Sequence, residues 1–158
     1  MYKIMLTLNF KGNKQIKLDK RELICSWSTV LCSEKSKVDL EQYEIEDFKL
    51  VLRVIKLIEI SKSEDDFRKN VELFSACLKP NEIGNLLYLI YSLNIVPPKN
   101  CKIIAKIPQN KSLANVIAPI MANVEHKKNI IAKQHGGANP NIVGGSIPES
   151  VIIKALLS

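Results

Sequence analysis

The N-terminal segment of the chain alternates apolar and polar side chains. Every second position is apolar in two short runs, which comprise Ile4, Leu6, Leu8 and Phe10, followed by Ile16 and Leu18. This spacing is typical of a half-buried β-strand, because successive side chains of a strand point to opposite faces. Gly12 and Asn13 lie between the two runs and favour a tight turn. The pattern therefore predicts a β-hairpin over residues 2–18.

A helical pattern follows the hairpin. Asp19 and Glu22 have the spacing of a capping box, which predicts that a helix begins at Asp19. The apolar stripe of this helix comprises Leu23, Ile24, Trp27, Val30 and Leu31. Because Trp27 shares the stripe, it is predicted to lie in the core. The segment KVDL, residues 37–40, predicts a short strand.

Apolar side chains then recur at the period of an α-helix. The predicted helices cover residues 44–60, residues 66–78 and a segment that begins at Pro80. Asn94 and the pair Pro97-Pro98 are predicted to end the third helix, because proline lacks an amide proton and clashes with the preceding turn. A shorter helix is predicted to resume near Lys99.

The chain after Pro108 changes in character. The predicted division is a main domain over residues 1–107, a basic helical extension over 108–135, a glycine- and proline-rich linker over 136–148, and a C-terminal amphipathic helix over 149–158. We expect Pro119 to interrupt the extension. The last helix is too short to be stable alone. Its apolar side chains, Val151, Ile152 and Leu156, are therefore candidate contacts with a partner.

The net charge of the chain is +7, and most of the excess lies in its second half. Residues 80–158 carry eight lysines and three acidic residues. The candidate basic patch comprises Lys99, Lys102, Lys106, Lys127, Lys128 and Lys133. Its first interpretation is a solvated surface, followed by a surface for an acidic protein and then by one for nucleic acid. No aromatic residue lies between Lys99 and Lys133 to stack nucleic-acid bases.

The residues that commonly carry chemistry are scattered along the chain. His126 and His135 lie too far apart in sequence to stack as two metal ligands on one helix face. The four cysteines form no CxxC pair, and they are predicted to be buried thiols in a reducing compartment. These patterns predict a protein that is not an enzyme, with no catalytic residue, no metal site and no cofactor.

The hydrophobic pattern also bears on location. No apolar run reaches the ~20 residues that span a bilayer, and the N-terminus lacks the pattern of a signal peptide. We therefore expect an intracellular, cytoplasmic protein without a membrane partner. The abundance of lysine, isoleucine and asparagine suggests an AT-rich genome; for a large DNA virus, the location would be the host cell cytoplasm or the virion.

Three stretches carry a resemblance to a known fold family. They are QIKLDKRELICSWSTVL, VDLEQYEIEDFKLVLRVI and LLYLIYSLNIVPPKNC, and in the last of them Leu93, Ile95 and Cys101 occupy matching positions. Over residues 2–107 the chain resembles the BTB/POZ domain family, including its elongin C-like and cullin-adaptor branch. The resemblance implies an α+β fold in which a cluster of helices packs a small sheet with an N-terminal hairpin. The helical C-terminal extension is additional to that fold.

The resemblance also implies a protein–protein interaction module. The expected partner is a second copy, as in a BTB-type homodimer, or a cullin-type scaffold of a ubiquitin ligase. The open alternatives are a structural component of a large viral particle and a basic protein associated with nucleic acid. Most of residues 86–107 are expected to pack in the core. A partner contact is expected at the exposed turn, with Asn94, Pro97 and Pro98 as candidates. In BTB-like dimers the first helix commonly lies at the two-fold contact, so the resemblance makes a dimer interface the second location predicted for Trp27.

Overall fold

The computed structural model describes residues 5–98, 101–104 and 111–136, with side chains as far as residue 131. Over these residues the protein has an α+β fold with a three-stranded mixed sheet and five α-helices. In chain order the elements are β1 (Met5–Phe10), β2 (Lys14–Asp19), α1 (Leu23–Trp27), β3 (Lys37–Leu40), α2 (Ile45–Ile60), α3 (Glu64–Ala76), α4 (Pro80–Ser92), a 3₁₀ turn (Lys102–Ile104) and α5 (Leu113–Gly136).

The sheet confirms the predicted hairpin and the predicted third strand. Its strand order is β2-β1-β3. Strands β1 and β2 pair antiparallel, and the turn between them places Gly12 at φ 76° and Asn13 at φ 60°. These left-handed angles suit glycine and asparagine better than other residues. Strand β3 pairs with β1 in parallel, with Phe10 opposite Leu40.

The helices cover one face of the sheet. Leu6, Leu8 and Phe10 point to that face and are almost completely buried. The ring of Phe10 packs against that of Phe48 on α2, with 5.2 Å between the ring centroids. The alternating pattern of β1 and the helical pattern of α2 therefore meet in one core.

The first helix is shorter than predicted, and the expected cap at Asp19 is wrong. Asp19 ends β2, and its carboxylate accepts hydrogen bonds from the Arg21 guanidinium, the shortest at 2.6 Å. This side-chain hydrogen bond lowers the pKa of Asp19 to about 2. The cap position of the first helix is Glu22, three residues after Asp19. Helix α1 begins at Leu23 and ends at Trp27.

Helix α3 begins slightly earlier than predicted. Its cap is Ser63, whose hydroxyl accepts a hydrogen bond from the Asp66 backbone N–H at 3.1 Å. Acidic side chains fill the first turn, where the helix dipole favours negative charge. The acidic run Glu64, Asp65 and Asp66 therefore forms the first turn of the helix.

Helix α5 is continuous through Pro119, so the predicted interruption is wrong. Proline removes the hydrogen bond to the carbonyl four residues earlier, at Asn115. Pro119 and Asn115 are both exposed, so water can reach that carbonyl. The missing bond therefore does not leave a buried polar group.

Helix α5 shares the core of the preceding elements. Leu113, Ala114, Ile117 and Met121 belong to the same buried cluster as the sheet and α2. They pack against α3 and α4. The boundary predicted after residue 107 falls in residues 105–110, outside the described residues, and the proposed division into domains stays a prediction.

Candidate protein interaction surface

The predicted turn after α4 is a structural junction. The Ser28 hydroxyl is buried; it donates a hydrogen bond to the Leu93 carbonyl at 2.6 Å and accepts one from the Leu31 N–H at 3.1 Å. The Val96 N–H donates to the Trp27 carbonyl at 3.0 Å, and the Leu113 N–H donates to the Ile95 carbonyl at 2.8 Å. Residues 93–96 therefore join the ends of α1 and α4 to the start of α5.

The candidate contacts at this junction differ in exposure. Asn94 is exposed, adopts φ 51°, and donates from its side-chain amide to the Thr29 hydroxyl at 2.9 Å. Pro97 is half-buried and Pro98 is exposed. Trp27 is only 8% exposed and belongs to the core, the first of the two locations predicted for it. Asn94 and Pro98 remain accessible, whereas Trp27 offers little surface to a partner.

The candidate basic patch does not form one exposed surface in the described part of the chain. Lys102 is exposed and Lys127 is half-buried. The Lys128 side chain is only 15% exposed, and its ammonium donates to the carbonyls of Ser75 at 3.3 Å and Leu78 at 3.0 Å. Lys128 thus caps the C-terminal end of α3, where a cation also suits the helix dipole.

A neighbouring carboxylate completes the Lys128 site. Glu125 Oε2 is buried without a hydrogen-bond partner, and it lies 3.8 Å from the Lys128 ammonium. The opposite charge of Lys128 stabilises this buried oxygen. Lys128 therefore holds α5 against α3 and is not available to a partner.

Several predicted site residues lie outside the residues that the structure describes. These are Lys99, Lys106, Val151, Ile152, Leu156 and the side chain of Lys133. The roles predicted for them stay predictions.

The outer side of α4 carries a surface that the sequence analysis did not single out. After Pro80, the exposed residues of this helix are Asn81, Gly84, Asn85, Tyr88 and Tyr91, which we call the tyrosine face. None of them is charged, although 25% of the chain is. Tyr88 is 64% exposed and Tyr91 is 67% exposed. Large exposed aromatic side chains on an uncharged surface are characteristic of protein contacts.

Tyr43 supports one end of the tyrosine face. Its ring centroid lies 6.2 Å from that of Tyr88, with the rings tilted by 47°. This distance and tilt are favourable for an aromatic pair. Tyr43 is half-buried and packs against the core, so it restricts the Tyr88 ring from one side.

Carboxylates of α2 and α4 lie beside the tyrosine face. Asp47 on α2 is hydrogen-bonded to Asn85, and burial raises the pKa of the Asp47 carboxyl. The nearby carboxylates of Glu44 and Glu82 raise this pKa further, against the lowering effect of Asn85. We call Glu44, Asp47 and Glu82 the acidic edge. Its charge contrasts with the positive charge of the whole chain.

The residues weighed for chemistry are not gathered at this surface. Burial raises the pKa of the Cys25 thiol to about 11, which disfavours a thiolate nucleophile at neutral pH. Cys32 and Cys77 are exposed, so the prediction of four buried thiols is wrong. Within the described ranges, no three His, Cys, Asp or Glu side chains are grouped to hold a metal ion.

Comparison with known proteins adds no relative. The chain has no significant match among family models, curated proteins or solved structures. Among the helices of the described residues, none is long and apolar enough to cross a membrane. The function is therefore inferred from the geometry of the surface.

Proposed function

We propose that this protein is a non-enzymatic protein–protein interaction module, and that the tyrosine face is its contact surface. The observation that carries the proposal is the pair Tyr88 and Tyr91, 64% and 67% exposed on one uncharged side of a helix. Tyrosine is enriched among the residues that dominate binding energy, because a rigid ring supplies a large contact area and a hydroxyl.

The other side of α4 makes this face rigid. Leu86, Leu89 and Ile90 have no accessible surface and fix the helix against α2 and α5. A surface that is already ordered loses little conformational entropy on binding. Tyr88 and Tyr91 are therefore presented to a partner on a backbone whose position is fixed.

The order of elements supports a more specific form of the proposal. A hairpin, a short helix, a parallel third strand and then helices follow one another along the chain, as in the elements on which the BTB/POZ resemblance rests. In that form the module would pair with a second copy or with a cullin-type scaffold.

The alternatives differ in the surface they require. A component of a viral particle could use the same tyrosine face, whereas a nucleic-acid protein would need the lysines. Lys128 is engaged with α3, which favours a protein partner over nucleic acid.

The test compares three proteins as baits in extracts of cells that produce the protein naturally. They are the wild type, the double variant Tyr88→Ala/Tyr91→Ala, and the control Ile60→Ala, which removes a hydrophobic side chain 54% exposed at the end of α2. Quantitative mass spectrometry should find proteins that the wild type and the control retain and the double variant loses. Identical sets for all three baits, with folding verified by circular dichroism, would refute the proposal.

A further inference from the structure

Resting on this proposed function, we infer that the tyrosine face takes a partner segment bearing lysine or arginine, whose cationic side chain lies against Tyr88 and the acidic edge. The inference joins two features at one place. One is an exposed aromatic ring supported by a second ring. The other is the carboxylate of Asp47, which is bonded to Asn85 three residues before Tyr88 and has Glu44 and Glu82 near it.

The geometry brings the carboxylates to the ring. Asn85 lies on the tyrosine face three residues before Tyr88. Its side chain is hydrogen-bonded to Asp47 of the neighbouring helix α2. Tyr43 immediately precedes Glu44 and packs on Tyr88. Asp47 therefore lies at Asn85, and Glu44 follows the residue that packs on Tyr88, so both are on the side of the tyrosine face that adjoins α2.

The charge of the acidic edge is only partly balanced. Lys11 lies 3.4 Å from Glu44. Glu82 accepts a hydrogen bond from the Lys79 backbone N–H at 2.9 Å through one of its two oxygens. Within the described part of the chain, no lysine or arginine forms a salt bridge with Asp47 or Glu82. A partner cation would supply the missing charge.

A cationic side chain suits both features. An ammonium or guanidinium group over a tyrosine ring is attracted by the negative face of the ring. The same group can donate charge-assisted hydrogen bonds to carboxylates. An acidic segment would be repelled, and an apolar segment would cover Asp47 without compensating its charge. The acidic edge thus selects among the segments that could contact the aromatic surface.

The same charges disfavour a second copy as the occupant. A two-fold contact centred on Tyr43 and Tyr88 places the same surface of both copies together. The acidic edges of both copies would then be brought into the same contact. A foreign basic segment avoids this repulsion.

The test measures peptide binding to the full chain by fluorescence anisotropy at low salt. The probe is a labelled peptide in which arginine alternates with alanine, and its control has glutamate in place of arginine. The arginine peptide should bind and the glutamate peptide should not. Tyr88→Ala and Asp47→Asn should each weaken binding by roughly tenfold. Two controls should leave it unchanged: Ile60→Ala for the exposed hydrophobic area, and Glu59→Gln for the lost negative charge at the other end of α2.

The outcomes separate this inference from the proposed function. If the glutamate peptide binds equally well, or if Glu59→Gln weakens binding as much as Asp47→Asn, the cation is not recognised at the acidic edge and the inference is wrong. The proposed function would still stand if Tyr88→Ala/Tyr91→Ala loses its cellular partners. Analytical ultracentrifugation tests for a second copy as the occupant. If the wild type is a dimer and Tyr88→Ala is a monomer, a second copy covers the tyrosine face, and the inference of a foreign basic partner is wrong.

Discussion

Helices α2 and α4 pack side by side with apolar inner faces, but their outer faces differ in composition. The exposed positions of α2 carry Glu46, Lys49, Arg53, Lys56 and Glu59, with Ile60 at the end. Lys49 lies 3.3 Å from Glu46, and Lys56 lies 3.7 Å from Glu59. The outer face of α4 has the uncharged residues of the tyrosine face. Hydrophobic periodicity therefore predicts the inner faces equally well and leaves the difference between the outer faces unexplained.

The two outer faces have different physical consequences. Exposed ion pairs such as those of α2 contribute little to stability, and their role is solvation. Exposed tyrosines contribute little to the fold and expose apolar surface to water. A partner that covers the tyrosines would remove this apolar surface from water. The comparison can be tested by changing one face at a time.

The largest effect is expected on the inner side of α4. Leu89 has no accessible surface, whereas the adjacent Tyr88 is 64% exposed. Leu89→Ala should lower the free energy of unfolding by about 2–5 kcal/mol, because it leaves a cavity. Tyr88→Ala should lower it by no more than about 1.5 kcal/mol, the upper value for the lost pairing with Tyr43. Urea denaturation of both variants gives the comparison, and similar losses would mean that Tyr88 is part of the core.

A second prediction concerns adjacent lysines of α5. Lys128 donates to two carbonyls at the end of α3, whereas no hydrogen bond of the half-buried Lys127 is present among the described residues. Lys128→Met should lower the free energy of unfolding by about 1–3 kcal/mol, because the carbonyls lose a charged donor and Glu125 loses its counter-charge. Lys127→Met is the matched control. Amide hydrogen exchange near Ser75 should become faster in Lys128→Met and stay unchanged in Lys127→Met. Equal effects of both variants would argue against capping of α3 by Lys128.

Much of the fold could be predicted from local pattern. The period-two runs gave the hairpin and β3, and the helical stripes gave α2 and α4 with nearly correct ends. The prediction failed at Asp19, which ends β2 and bonds to Arg21 while the helix begins only at Leu23. It also failed at Pro119, because exposure of the affected carbonyl cannot be read from the local sequence. These failures depend on which atoms are neighbours or face water.

The candidate surface was missed for a related reason. Charged residues and prolines are conspicuous in a sequence, so the lysines and the turn were singled out. The position of Lys128 against α3 depends on tertiary packing. The spacing of Asn81, Gly84, Tyr88 and Tyr91 was present in the sequence, opposite the apolar stripe of α4, and could have indicated the tyrosine face. The hydrogen bond between Asp47 and Asn85 joins two helices, and no local pattern predicts it.

A third prediction uses the glycine of the tyrosine face. A β-carbon added at Gly84 would meet no atom within 4 Å, so the fold does not require glycine there. Glycine within a helix costs about 0.5–1 kcal/mol relative to alanine. Gly84→Ala should therefore raise the free energy of unfolding by about that amount. If a partner approaches the helix closely at this point, the same change should weaken binding of the arginine peptide. A more stable variant with unchanged peptide binding would exclude close contact at Gly84.

The smallest expected effect concerns the acidic edge, and it depends on pH. The pKa of Asp47 is raised in the folded protein above the usual value of 3.8, so the fold disfavours its carboxylate. This penalty is absent below the unfolded pKa, grows as pH rises through the two pKa values, and is complete above the folded one. Asp47→Asn should therefore be slightly more stable than the wild type at neutral pH, and the advantage should disappear as pH falls towards 3.8. Glu59→Gln, which removes an exposed carboxylate paired with Lys56, should show no such gain.

Thermal melts at several pH values measure the difference. A loss of stability in Asp47→Asn at neutral pH would mean that the carboxylate supports the fold, whereas a gain combined with weaker peptide binding would show that it is maintained for the partner at a cost to the fold.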